Sequence, residues 1–300
     1  MPLSHLLIGL SIVFIWGTNF VVIKWGLADF PPFLFATLRF TLSALPWLFF
    51  IRRPKVSWGK LATFGVFHGV GQFGLLFLAM RHDITPGLAS LVVQAQVFFT
   101  IGMAMLLKGE RIKPLQVLAL LLAVAGIGVI ALRIAGDTST TVTMLGLLLV
   151  LGAAFSWAVC NLTVRSAGRV DALGFMVWSS VFAIPPLLAL SLFIEGPTHI
   201  ASAFTQASFG GWSAVIWQAV ANSLFGYGAW NWLLARHPAA TVTPLALLAP
   251  VFGMTASALL LAEPLPPWKL AAAALVLGAL LINMLASRPS RVTALDAALD

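Results

Sequence analysis

Amide, imidazole and indole side chains recur at intervals in a chain that is otherwise almost wholly apolar. Trp16 and Asn19 stand three residues apart and so share one face of a helix. His68 and Gln72, four apart, share another, with Gly65, Gly69 and Gly71 around them. Trp157 and Asn161, four apart, follow the same habit, while Gln94 and Gln96 fall at mid-depth in another run. Further along, Gln218, Asn222 and Trp230 form one stripe, with Tyr227 and Asn231 on another. Such groups give and take hydrogen bonds and offer ring faces without fixed charge. They suit recognition of a neutral, zwitterionic or weakly anionic solute. The same residue types also serve as glue between helices, at about 1 kcal/mol per bond. Glycines let helices pack closely for the same reason, so each residue taken singly reads either way.

Charges are rarer and cost more. Arg39 falls inside an apolar run, about 10 Å below one face at 1.5 Å per helical residue. It is a candidate partner for a carboxylate, with snorkelling and pairing with a helix C-terminus as the alternatives. Lys24 stands nearer the mouth, as a second candidate carboxylate partner or as a helix anchor. Glu110 and Glu263 each precede a proline by four residues, which suits structural groups at helix ends. No Asp or Glu falls mid-run, so coupling to protons or sodium through a buried carboxylate has no support; His68 is the one protonatable group there. His5, His68, His82, His199 and His237 have no ligand spacing, and no phosphate-binding glycine loop occurs. The single Cys160 excludes an intrachain disulfide. The expectation is therefore a non-enzyme with no cofactor, no metal and no catalytic residue.

The elements that position these groups follow from composition. Of 300 residues 60% are hydrophobic and only 9% charged, with a mean hydropathy of +1.01. A soluble domain carries roughly 25% charged residues, so lipid must cover most of this surface. The net charge of +8 is divided among small clusters between apolar runs. That pattern fits loops facing anionic headgroups, not a nucleic-acid surface. A spanning helix needs about 20 apolar residues. Breaks at charges, Pro and Gly predict ten spans: 4–26, 32–51, 59–80, 85–107, 114–133, 144–165, 172–194, 211–235, 239–262 and 267–286. The first is expected to be a retained helix, not a signal peptide. Pro86, Pro244 and Pro250 can free backbone carbonyls in spans four and nine, although Pro86 also suits a helix start.

Orientation and repetition come next. With the N-terminus inside, the inner loops hold Arg52, Arg53, Lys55, Lys60, Lys108 and Arg111. Lys113, Arg165, Arg169, Arg236, Arg288 and Arg291 join them, making twelve, against Lys24, Arg81, Arg133 and Lys269 outside. Both termini are then cytoplasmic. Phe14-Ile15-Trp16 recurs as Phe155-Ser156-Trp157, and Lys24 as Arg165 at the same offset of 141 residues. Arg81-His82 recurs as Arg236-His237, and Glu110-x-x-x-Pro114 as Glu263-x-x-x-Pro267. Five spans per half is odd, so the halves enter from opposite sides. Inverted repeats of this kind place a solute site near the midplane between them.

Trp16-Gly17-Thr18-Asn19-Phe20, Lys24 and Leu38-Arg39-Phe40 resemble the opening of EamA-type members of the drug/metabolite transporter superfamily. Gly87 to Gln96 followed by Phe98-Phe99-Thr100, with Ala154 to Ala158 and Gly226-Tyr227-Gly228, is similar to the bacterial exporters of cysteine and O-acetylserine. The likeness runs from Leu6 to Leu285. It implies an all-α integral membrane fold of ten transmembrane helices in two inverted-topology five-helix EamA repeats, 1–135 and 136–287, with a cytoplasmic tail at 288–300. It implies export of amino acids or related metabolites across a bacterial inner membrane, by a monomer or homodimer whose other partner is the lipid bilayer. The expected solute site is Trp16, Asn19, His68, Gln72, Gln94 and Gln96 with Trp157, Asn161, Asn222, Tyr227 and Trp230. A phosphorylated-sugar or nucleotide-sugar transporter ranks lower, since Arg39 is the one deep cation. A membrane-embedded lipid-modifying enzyme lacks a catalytic constellation.

Overall fold

The computed structural model describes residues 1–109, 112–136, 142–168 and 170–287, and among these it is helical with no strand. Glu110, Arg111, Arg169 and the tail 288–300 lie outside the described residues. The helices are α1 (Leu3–Asp29), α2 (Pro32–Ala44), α3 (Trp58–His82), α4 (Pro86–Leu107), α5 (Pro114–Gly136) and α6 (Met144–Ala167). They continue as α7 (Ala172–Glu195), α8 (Pro197–Gln206), α9 (209–236), α10 (239–260) and α11 (Pro267–Ala286). Eight of the described helices are long and apolar enough to cross a bilayer: α1, α3 to α7, α10 over Thr243–Leu260, and α11. The chain is a multi-pass membrane protein.

Two expected spans stand apart from those eight, each for a physical reason. α2 has only 13 residues, about 20 Å of helix. Beyond it the chain continues as hydrogen-bonded turns, with Leu48 N on Ala44 O and Ile51 N on Trp47 O. α9 is long enough, but Gln218, Asn222 and Asn231 dilute its hydropathy. α8 is an element that the sequence reading placed in a loop.

Local chemistry sets the helix ends. Pro86 opens α4, as one of its two readings held, and needs no hydrogen-bond partner there. Thr143 and Asp171 cap α6 and α7 by accepting from the Gly146 amide, and from those of Leu173 and Gly174. Gly196, at φ 82°, lets α7 turn directly into α8.

Packing is paired across the two halves. α1 lies against α9 and α10, while α6 lies against α3 and α4. α2 packs on α7, α4 on α10, and α5 on α11. Exchanging α1 with α6, α2 with α7, α3 with α9, α4 with α10 and α5 with α11 maps this list onto itself. Glycines permit the closest approaches: a Cβ on Gly17 would meet the Ala249 carbonyl, and one on Gly71 the Ser156 hydroxyl.

α7 ends in a π-helical turn, Ser191–Glu195, and four other helices change pitch along their length. α3 is π-helical over Phe67–Gly74 and α9 over Trp217–Phe225. α4 tightens to a 3-10 turn at Val93–Ala95, and α10 at Thr243–Leu247, which contains Pro244. These four irregularities occupy counterpart helices in the two halves. π turns gather at functional sites because they re-aim side chains and loosen backbone carbonyls.

Candidate functional site

The four irregular segments, with α1 and α6, enclose a cavity of about 160 Å³. Asn19, Gln72, Gln94, Gln96 and Asn222 present amides to it. Trp16, Trp157 and Tyr227 supply its polar-edged rings, and Phe20, Ile23, Phe73, Leu76 and Val93 its apolar wall. Ala246 and Ala249 form the floor contributed by α10. Eight of the eleven expected solute-site residues thus share one space. His68, Asn161 and Trp230 stand outside the lining.

Those three brace residues that do line it. His68 is buried, and its Nδ1 meets Gln72 Oε1 at 2.8 Å. An amide oxygen accepts, so Nδ1 donates; in a neutral ring Nε2 is then an acceptor. That Nε2 has no partner among the described residues. Asn161 donates to Gln96 Oε1 at 2.7 Å and to the Thr100 hydroxyl at 3.2 Å. The Trp230 ring lies 5.1 Å from that of Trp16, whose other neighbour, Tyr227, is 5.9 Å away. The Trp16 indole N–H also donates to the backbone carbonyl of Asn222, at 3.3 Å.

Gln218 belongs to the polar stripe seen in the sequence, and it holds Asn19. Its Nε2 donates to Asn19 Oδ1 at 2.7 Å, and both side chains are buried. Ser223 carried no signal in the sequence. Its hydroxyl donates to the Gln218 carbonyl five residues back, at 2.9 Å, and accepts from Arg39 Nη2 at 3.1 Å. The i to i+5 step is what the π turn creates, so a 3.6-residue period does not disclose it. Phe73 and the other apolar wall residues are equally silent in an apolar run.

The two candidate cations differ. The Lys24 ammonium donates to the carbonyls of Met80, at 3.0 Å, and Arg81, at 2.9 Å, at the end of α3. That is the anchoring geometry, a cation at the negative end of a helix dipole. Arg39 is 0% exposed. Its guanidinium carbon lies 3.4 Å from the centroid of Phe73, and Phe40 is 5.3 Å away.

Carboxylates stand at helix ends. Glu263 accepts from the Gly87 amide at 2.9 Å, from the Thr85 hydroxyl and from the Lys269 ammonium at 2.8 Å. Burial pushes its carboxyl up, but the bonds from Lys269, Thr85 and Gly87 override this and hold it below the ordinary range. Glu195 accepts from the Phe33 and Leu34 amides at 2.6 and 3.0 Å, where α2 begins. Among the described residues, no group of three or more His, Cys, Asp or Glu side chains converges to hold a metal ion.

The geometry is that of a small, largely apolar cavity studded with amides and built from both halves of a membrane bundle. The sequence profile of the EamA-like transporter family matches residues 3–132 and 144–285. A "Probable amino-acid metabolite efflux pump" of Salmonella typhimurium is 39% identical over 288 residues, covering 95% of this chain and 96% of that one. A protein of the same description from Escherichia coli is 37% identical, covering 94% and 95%. One solved crystal structure superposes with a TM-score of 0.61 at 20% identity, over 95% of this chain and 98% of that chain, a likeness of fold alone. The chain belongs to the EamA-like transporter family.

Proposed function

We propose that the protein is a secondary transporter that exports amino acids or closely related metabolites from the cytoplasm across a bacterial inner membrane. The observation that carries this reading is the cavity itself. Amides and aromatic rings from both halves line it, and no carboxylate is among the lining residues. The names of the Salmonella and Escherichia coli relatives support an amino-acid solute.

In this reading the chain crosses the membrane ten times. α1 to α5 form one repeat, 1–135, and α6, α7 and α9 to α11 form its inverted counterpart, 136–287, with α8 on the outer face. The self-mapping helix contacts, the paired π and 3-10 segments and the excess of Lys and Arg on one side all support it. Both termini are then cytoplasmic, and the active unit is a monomer or homodimer. Access alternates as the halves rock around the cavity, with the irregular segments as the compliant points. Trp16, Asn19, Gln72, Gln94, Gln96, Trp157, Asn222 and Tyr227 contact the solute, while His68, Asn161 and Trp230 hold them in place. The driving force is the solute gradient, or protonation of His68.

The test is flux of radiolabelled cysteine, threonine, methionine and phenylalanine into liposomes containing the purified protein, with and without a pH gradient. Saturable flux that falls at least about tenfold in Gln72→Ala and Asn222→Leu is expected, since each removes one to two solute hydrogen bonds. Folded protein that moves none of the four contradicts the amino-acid assignment.

A further inference from the structure

Among the described residues, Arg39 is the one charged side chain that is completely enclosed, at 0% exposure. A guanidinium has five N–H donors. Here a single bond to a neutral hydroxyl, that of Ser223, is made, and Nε and Nη1 have no partner among the described residues. Burying an ion without a counter-charge is strongly unfavourable, so such a group marks a place where a partner arrives.

The protein does not supply that partner from its described carboxylates, because all five are engaged at helix ends. Asp29 accepts from Ser208, Asp83 from Thr143, and Asp171 from the Leu173 and Gly174 amides. Glu195 caps α2, and Glu263 is bonded to Lys269 and the start of α4.

The solute cavity is close by. The Phe73 ring covers the guanidinium at 3.4 Å on one side and lines the cavity. Ser223, which holds Nη2, follows the lining residue Asn222 in the α9 π turn, and Phe73 belongs to the α3 π turn. One aromatic ring, in the π-helical stretch of α3, therefore touches both a guanidinium with unpartnered donors and the solute space.

We propose that Arg39 is a gated carboxylate subsite of the cavity, opened when Phe73 swings off the guanidinium. The proposal rests on the exporter reading and narrows its substrate class to solutes bearing a carboxylate. The α-carboxylate takes one of the unpartnered nitrogens together with the second N–H of Nη2 as a bidentate pair. The ammonium of the same solute then lies among Trp16, Trp157 and Tyr227, whose ring faces attract cations. The carboxylate gives the fixed cation its counter-charge, and the ammonium that comes with it is held by ring faces, so the occupied site keeps the one net positive charge of the guanidinium.

The experiment uses the full-length protein in liposomes. Saturable flux of L-cysteine, L-threonine, L-methionine and L-phenylalanine is measured against competition by the matching primary amine, which lacks only the carboxylate. The amine is expected to inhibit at least about tenfold more weakly than the amino acid in the native protein. Arg39→Gln is expected to raise the KM for the amino acid about tenfold or more while leaving inhibition by the amine unchanged, so that discrimination collapses. Arg39→Lys, which keeps the charge without the planar fork, falls between the two. Equal inhibition by acid and amine in the native protein overturns the subsite and leaves the exporter reading standing. So does an unchanged KM in folded Arg39→Gln, which would make Arg39 a strut between the two π turns. If Arg39→Gln does not fold, the native comparison and Arg39→Lys decide the matter. Absence of saturable flux for all four amino acids overturns the exporter reading, and the subsite with it.

Discussion

The outer ends of the helices and the middle of the bundle treat buried charge in opposite ways. At the ends every described carboxylate has a built partner: Glu263 has Lys269, Thr85 and the Gly87 amide, and Glu195 has two amides of α2. Lys24 likewise sits on two carbonyls of α3. In the middle, Arg39 keeps two nitrogens unpartnered, His68 one, and Gln218 its amide oxygen. The first pattern is what a bilayer demands of any polar group that only has to be stable. The second leaves donors and acceptors open next to residues that line the cavity, such as Gln72, Phe73 and Asn19. In the proposed reading, charge at the ends holds the fold and polarity in the middle serves the solute.

That contrast can be broken at either end. The largest effect is expected from Glu263→Ala. It leaves the Lys269 ammonium, 3% exposed, with no counter-charge, at a cost of about 3–5 kcal/mol. Thermal unfolding in detergent reads this as a large fall in melting temperature, and adding Lys269→Met in the same chain restores most of it. Acid sharpens the same point. The folded Glu263 carboxyl titrates below its ordinary value of 4.5. Its contribution is therefore fully present above pH 4.5 and lost as pH falls through the lower folded value. Glu263→Gln flattens that acid-side decline in melting temperature.

Arg39→Gln is expected to behave in the opposite sense. It removes one bond to a neutral hydroxyl and a desolvated charge, so stability changes by no more than about 1 kcal/mol while the KM for the amino acid rises about tenfold or more. A melting temperature as low as that of Glu263→Ala would erase the distinction between ends and middle. Smallest is Lys24→Gln, which loses a favourable cation at a helix C-terminus, about 0.3–1 kcal/mol. Its flux should stay near native.

Much of this was legible before any coordinates. Apolar runs of about 20 residues follow from the bilayer, so most of the crossing helices could be read from composition alone. Eight lining residues stood out because an amide or indole is conspicuous in such a run, and Glu263 because it precedes a proline at a helix end. What stayed hidden has two causes. Phe20, Phe73, Leu76 and Val93 are apolar residues among apolar residues, and only packing decides that they face the cavity. The π and 3-10 segments are imposed by neighbouring helices; only Pro244 announces one of them. Ser223 is reached by the i to i+5 step of such a turn, which no 3.6-residue pattern reveals. α2 is shorter than its apolar stretch because that stretch ends in turns.

The most direct test of the solute path is to fill it. Ala246 lies in the 3-10 turn of α10 and lines the cavity. Ala246→Trp places an indole into about 160 Å³ of space while leaving every polar partner described above in place. Flux of the four labelled amino acids is then measured in liposomes beside the native protein, with size-exclusion elution and melting temperature as checks on folding. The account predicts a folded protein with flux reduced to the level of empty liposomes. Native flux through folded Ala246→Trp would contradict it, because the solute would then be passing by another route.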